Sequence, residues 1–219
     1  GKSVIRLGDG EMGILHGKDI SYEAYNKELK KKLIDIIKNY KKDSKYILSI
    51  PLFIKDTNRQ LRNKNILHYW LPFKVEFKRR FNKKLKYANA HTFYIKSFFE
   101  NYLASYLKDK YIIVLTTGSN IKKLEPEFCK RFKNIYFLEA KEPNPFQWYK
   151  KNKKEIIEII ERNVNVVKKD FVILISAGPA GKILAYDFSN LGYQSLDIGK
   201  GIEQIYNDKN LEKDFDIRG

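Results

Sequence analysis

Cysteine is almost missing from this sequence. Cys129 is the single one, so no intrachain disulfide can form, and the scarcity fits a reducing compartment. Three histidines, His16, His68 and His91, lie far apart, so the spacings that hold zinc are missing too. No apolar run approaches the ~18 residues that a membrane-spanning helix needs. No signal peptide is visible, because the amino terminus runs straight into a strand-like segment. Such an abrupt start is what a trimmed chain looks like, with a leader or a preceding helix removed.

Acids are the other shortage. Against 43 Lys and Arg there are 26 Asp and Glu, a formal net charge of +17. A surface this basic favours anionic partners: nucleic acid, lipid headgroups or phosphorylated small molecules. Yet the lysines come in short groups, such as Lys30–Lys32, Lys41–Lys42, Lys83–Lys84, Lys150–Lys151 and Lys168–Lys169, that suit solvated helix faces. Lys78-Arg79-Arg80 beside Phe77 and Phe81 is the densest basic-aromatic cluster, open to either reading.

Hydrophobic residues make up 43% and charged residues 32% of 219, the balance of a soluble folded domain with enough material for a core. Strand-like runs at Ser3–Leu7, Tyr46–Ile50, Tyr111–Leu115, Ile135–Leu138, Phe171–Ile175 and Ser195–Ile198 alternate with helical stretches. Tyr22, Tyr25, Leu29, Leu33, Ile36 and Tyr40 recur at helical steps and predict one apolar helix face. Ser97-Phe98-Phe99-Glu100 reads as a capping box opening a helix that carries Tyr102, Leu103, Tyr106 and Leu107, and Ile156, Ile157, Ile159, Ile160 and Val164 mark another helix. Continuous apolar strands between helices predict an α/β, Rossmann-like, mostly parallel sheet covered on both faces. We see no repeat or linker, so residues 1–219 form a single domain, least regular over about 52–94.

The most informative segment is Arg6-Leu7-Gly8-Asp9-Gly10-Glu11, at the end of the first strand. In extended backbone, residues two apart share a side, so Asp9 and Glu11 would converge on one point. Gly8 and Gly10 would permit a tight or left-handed turn and close ligand approach. Two such carboxylates suit a magnesium or manganese ion; the same residues also suit a polar turn whose acids cap a helix. Two further strand-to-helix turns, Thr116-Thr117-Gly118-Ser119-Asn120 and Ser176-Ala177-Gly178-Pro179-Ala180-Gly181, would expose helix amino-terminal amides to phosphate. Pro179 suits a first helical position. Neither turn matches G-x-G-x-x-G or the P-loop, which disfavours a nicotinamide dehydrogenase or a P-loop kinase.

In that order the motifs resemble one family. Arg6 to Glu11 is similar to the R-x-G-D-G-E opening of the GT-D type bacterial glycosyltransferases. Gly178-Pro179-Ala180-Gly181-Lys182-Ile183-Leu184-Ala185 resembles its G-P-x-A-x-x-L-A block, and Gly192-Tyr193-Gln194-Ser195-Leu196-Asp197-Ile198-Gly199 its G-Y-x-x-x-D-I-G block. Pro143-Asn144-Pro145-Phe146 matches a further patch in the same order. The resemblance implies a metal-dependent transfer from a nucleotide-sugar donor, commonly a UDP-sugar, to a glycan or glycoprotein acceptor. It puts a divalent cation, Mn2+ or Mg2+, at Asp9 and Glu11. Arg6, Gly8, Gly10, Gly118, Ser119, Gly178 and Pro179 would hold the nucleotide. Where the family carries a histidine followed by acids, this chain has Lys200-Gly201-Ile202-Glu203. Glu203 is the first candidate for a catalytic base and Asp197 the second.

His16, near the acidic motif, is a candidate for the nucleotide pocket, and Trp70 and Trp148 for contact with a sugar or base. The expected setting is cytoplasmic, with the basic surface able to hold the enzyme at the inner face of an anionic membrane. A basic nucleic-acid-binding module and a catalytically inactive nucleotide-binding relative are the alternatives.

Overall fold

The computed structural model describes residues 1–54, 56–63, 67–165 and 170–206; the Lys168–Lys169 pair and the side chain of Val164 lie outside the described residues. Seven strands, β1 (Ser3–Arg6), β2 (Tyr46–Ile50), β3 (Ala88–Asn89), β4 (Tyr111–Thr117), β5 (Ile135–Ala140), β6 (Phe171–Ser176) and β7 (Ser195–Asp197), form one sheet in the order β3-β2-β1-β7-β6-β4-β5. Every pair is parallel.

The apolar runs explain the layering. Along β4, Ile113 and Leu115 point into one core while Ile112 and Val114 point into the other. Both faces of the strand are therefore buried, as its unbroken apolar sequence requires. One face is covered by α1 (Asp9–Leu15), α2 (Lys27–Asn39), α8 (Pro145–Asn165) and α9 (Gly178–Asn190). The long helix α4 (Leu67–Arg80), preceded by the short α3 (Asn58–Asn63), joins that layer through Trp70 and Phe73. The other face is covered by α5 (Lys96–Phe98), a π turn (Phe99–Leu103), α6 (Ala104–Leu107), α7 (Gly118–Arg131) and the 3-10 segment Gly199–Ile205.

Two helix starts differ from the sequence expectation. Helix α2 begins at Lys27, because Asn26 Oδ1 accepts the amides of Glu28 (2.8 Å) and Leu29 (3.1 Å) and so caps the helix there. Tyr22 and Tyr25 fall outside it, and the buried face is Leu29, Leu33, Ile36 and Ile37. Ser97 is not a cap: Ile95 precedes the helical stretch, and Phe99, Leu103 and Leu107 are buried while Tyr102 and Tyr106 face solvent. The segment about 52–94 is more regular than it reads, since it contains α3 and α4. Strand β3 is too short and polar to announce itself.

The topology fixes where a ligand can sit. From β4 the chain runs outward to β5, whereas from β6 it runs the opposite way to β7. The loops after β4 and β6 therefore part company and leave a crevice at the carboxyl ends of the strands, the usual ligand position in such sheets.

Candidate active site

Four strand ends meet at that crevice. The loops after β1, β4, β6 and β7 surround a cavity of ≈ 310 Å³, closed on one side by Trp70 of α4, His91 and Tyr94. Arg6, Gly8, Asp9, Gly10 and Glu11 line it, as do Ser119, Gly178 and Glu203. Gly118 instead lines a neighbouring concavity of ≈ 540 Å³, between Ser119, Lys122 and Lys141. Pro179 and Asp197 are buried behind the cavity wall.

The acidic motif is helical, not extended. Gly8 caps α1 with ordinary extended backbone, and Asp9 and Glu11 occupy its first turn. Residues two apart on a helix do not face each other, so the expected convergence is replaced by a division. Asp9 is exposed at the mouth of the cavity. Glu11 turns inward, 4% exposed, with Oε2 accepting the Gly8 amide at 2.7 Å. Gly8 and Gly10 need no left-handed backbone. Gly178 does: its φ is +53°, and a Cβ there would lie 2.3 Å from the ring of Tyr22.

Beneath the cavity lies a charge cluster whose centre is Lys182. Its Nζ stands 3.2 Å from Glu11 Oε1, 3.3 Å from Asp197 Oδ2 and 3.1 Å from the carbonyl of Gly178. Burial opposes the ammonium charge, but Asp197 and Glu11 outweigh it and raise the Lys182 pKa above its ordinary value. Arg6 completes the cluster. Its backbone amide donates to Asp197 Oδ2 at 3.0 Å, and its guanidinium donates to the Ile198 carbonyl (2.5 Å) and the Tyr94 hydroxyl (2.6 Å). It also stacks 4.5 Å above the Tyr94 ring. Two cations and two carboxylates thus share one buried cluster, each with a partner, the condition under which buried charge is tolerated.

Lys182 sits on a helix among apolar residues, and nothing in its sequence neighbourhood separates it from a solvated lysine. Only the meeting of β1, β7 and α9 reveals it. Tyr22, whose spacing predicts a helix face, instead lines the cavity, with its pKa pushed up to about 12 by burial and then by Glu11. His16 lies elsewhere, exposed at the end of α1 and 3.9 Å from Glu76. The histidine of the cavity is His91, whose pKa falls to about 4 through burial and the nearby Arg6 charge. Trp70 lines the cavity, whereas Trp148 packs on the core from α8.

The other two loops supply neutral donors. Thr116 Oγ1 donates to the Ser176 carbonyl at 3.0 Å, tying the β4 and β6 ends together, and Thr117 Oγ1 lies 3.1 Å from Ser119 Oγ. Asn144 amide and side chain hold the Tyr22–Ala24 segment against the start of α8, through Tyr22 O (3.1 Å) and Ala24 N (2.7 Å). The Pro143-Asn144-Pro145-Phe146 patch thereby positions Tyr22 over Gly178.

A model of the family described as "Glycosyltransferase GT-D fold" matches residues 4–209. This chain belongs to the GT-D glycosyltransferase family. The match spans all four loops of the cavity. The GT-D domain is also similar to a solved domain of the class called domain of unknown function 1792, described as having a distinct glycosyltransferase fold. The two are 25% identical, with a TM-score of 0.72, over 98% of this chain and 76% of the other. A second structure, from Streptococcus sanguinis, shares the fold at 20% identity and a TM-score of 0.69, covering 93% of this chain and 76% of that one. Among curated proteins, the "Probable glycosyl transferase Gly" of Streptococcus gordonii is 24% identical over 91% of this chain, which spans only 29% of that relative's length. A glycosyltransferase domain requires a sugar donor and an acceptor.

Proposed function

We propose that this domain transfers a sugar from a nucleotide-sugar donor, of the UDP-sugar class, to a glycan or glycoprotein acceptor. The observation that carries this reading is the meeting of Asp9 with the amino-terminal turns of α7 and α9 around one cavity. Helix amino termini favour phosphate oxygens through free amides and the helix dipole. Lys200 on the rim adds a positive charge to the same space.

The divalent ion expected at Asp9 and Glu11 fits in part. Asp9 is an open carboxylate, and magnesium or manganese is often held by one carboxylate together with substrate phosphates and water. Glu11 is engaged by Lys182 and the Gly8 amide, so it joins the ion only if Lys182 yields. When bound, the ion offsets the negative charge that grows on the departing diphosphate. Arg6 and Lys182 act from below, fixing Glu11, Asp197 and the Gly178 turn so that the donor loops are preorganised.

Glu203 is the proposed general base. It lines the cavity, half-buried, and makes no ion pair among the described residues, so a lone pair is available for the acceptor hydroxyl. Asp197 suits a different task than the one first expected. It is fully buried, with its oxygens facing Lys182 and the Arg6 amide, so it ties the cluster together instead of facing an acceptor. The lone exposed thiol of Cys129 supports a reducing, cytoplasmic setting. Release of nucleoside diphosphate from a panel of nucleotide sugars, with glycan acceptors present and with or without manganese, tests the reading.

A further inference from the structure

The densest basic-aromatic group of the sequence divides in the fold. Phe81 is buried, with Phe77 packed 5.1 Å from it, and Arg80 turns back onto buried Glu76. What α4 shows to solvent is His68 at its start and then an aliphatic and basic stretch: Leu71 (41% exposed), Val75 (50% exposed), Lys78 and Arg79. Steps of three and four residues put these on one helix face. Leu52 is also exposed, in the turn Leu52–Ile54, and its neighbour Phe53 packs at a tilt against Trp70 of α4, 5.1 Å between ring centroids. Among the described residues, the large aliphatic side chains facing solvent are Leu52, Leu71, Val75 and Leu191, and two of these four share this helix face. Lys83 and Lys84 extend the basic end beyond the helix, and the one acid between 67 and 84, Glu76, is buried.

We propose that this outer face of α4 docks on an anionic lipid surface. Leucine and valine at the level of the headgroup boundary, flanked by lysine and arginine, match such a surface in both hydrophobicity and charge. A nucleic acid would neutralise the cations but leave Leu71 and Val75 in water, and the aromatic rings that stack bases are turned inward. The opposite side of the same helix presents Trp70 to the cavity. Docking through Leu71 and Val75 therefore holds the helix that carries Trp70 against the bilayer. The surface contact itself does not rest on the proposed transfer reaction.

Co-sedimentation of the chain with vesicles of phosphatidylglycerol and phosphatidylcholine, against pure phosphatidylcholine, tests the proposal. We expect binding to the anionic vesicles only. Leu71→Ser/Val75→Ser and Lys78→Ser/Arg79→Ser should each weaken it about tenfold or more. Lys130→Ser/Arg131→Ser, an equal charge loss on the exposed end of α7, should change it little. All of these side chains are exposed, so the fold should survive. Equal losses for both charge variants with none for Leu71→Ser/Val75→Ser would overturn the proposal in favour of diffuse attraction. Absence of binding to anionic vesicles would overturn it outright.

Discussion

Lys182 Nζ lies 3.2 Å from Glu11 Oε1, joining the helix that follows β6 to the helix that follows β1. The contact explains why Glu11 and Asp9 behave differently although they are neighbours. One carboxylate is bound into the floor of the cavity, and the other is left open at its mouth.

Replacing that lysine should therefore be costly. Lys182→Met leaves Glu11 and Asp197 buried beside one fewer cation, and removing one partner of a buried pair costs about 3–5 kcal/mol. Denaturant unfolding should show a midpoint shift of that order. Glu11→Gln in the Lys182→Met background should recover part of it, because the uncompensated charge is then reduced. Equal stability of wild type and Lys182→Met would mean the cluster contributes no net stability.

The turn at Gly178 should also be intolerant of a side chain. Gly178→Ala demands a left-handed alanine and places its Cβ against Tyr22. Strain of this kind costs about 1–3 kcal/mol. Tyr22→Ala added to Gly178→Ala should relieve the clash but not the backbone strain, so thermal unfolding should recover in part only.

Glu23 gives a pH signature. It is buried at the start of α8, where its Oε2 accepts the Phe146 amide at 3.0 Å, and burial raises its pKa from 4.5 to about 7 despite that hydrogen bond. The folded state thus binds this proton more tightly than the unfolded chain. Its contribution to stability is complete below pH about 4.5 and is lost as pH rises through about 7. Glu23→Gln keeps the acceptor and should flatten that part of a stability–pH curve. An unchanged slope would assign the dependence to other groups.

How much of this was readable from sequence follows from what each feature depends on. The runs Tyr111–Leu115 and Phe171–Ile175 are apolar without break because both faces are buried, so their strands and the parallel sheet were legible locally. Gly178 and Pro179 were legible as a turn because glycine's left-handed backbone and proline's fit to a first helical position are local properties. Asp9 and Glu11 both line the cavity, but not as the extended pair that their spacing predicts, because Gly8 caps a helix that starts one residue later. Lys182, Tyr22 and His91 are set by contacts remote in sequence, and no periodicity encodes those. The outward stripe of α4 is hidden for a similar reason, since only the fold turns Phe77 and Phe81 inward and leaves Leu71 and Val75 outside.

Glu203 should separate chemistry from binding. Glu203→Gln preserves shape and removes the proton acceptor, so turnover should fall by roughly 10²–10⁴-fold, the usual worth of a general base. Nucleotide affinity should stay within about twofold, since a base acts on the acceptor and contributes little to uniform donor binding. Turnover retained in the variant would move the base elsewhere.

The central claim is a nucleotide site built around Asp9 and the amino termini of α7 and α9. Calorimetric titration of UDP, with and without manganese, on wild type and Asp9→Ala tests it most directly. The account predicts UDP binding that manganese strengthens and Asp9→Ala loses, with the fold of the exposed-site variant intact. Absence of nucleotide binding in every condition, or binding indifferent to both manganese and Asp9, would contradict it.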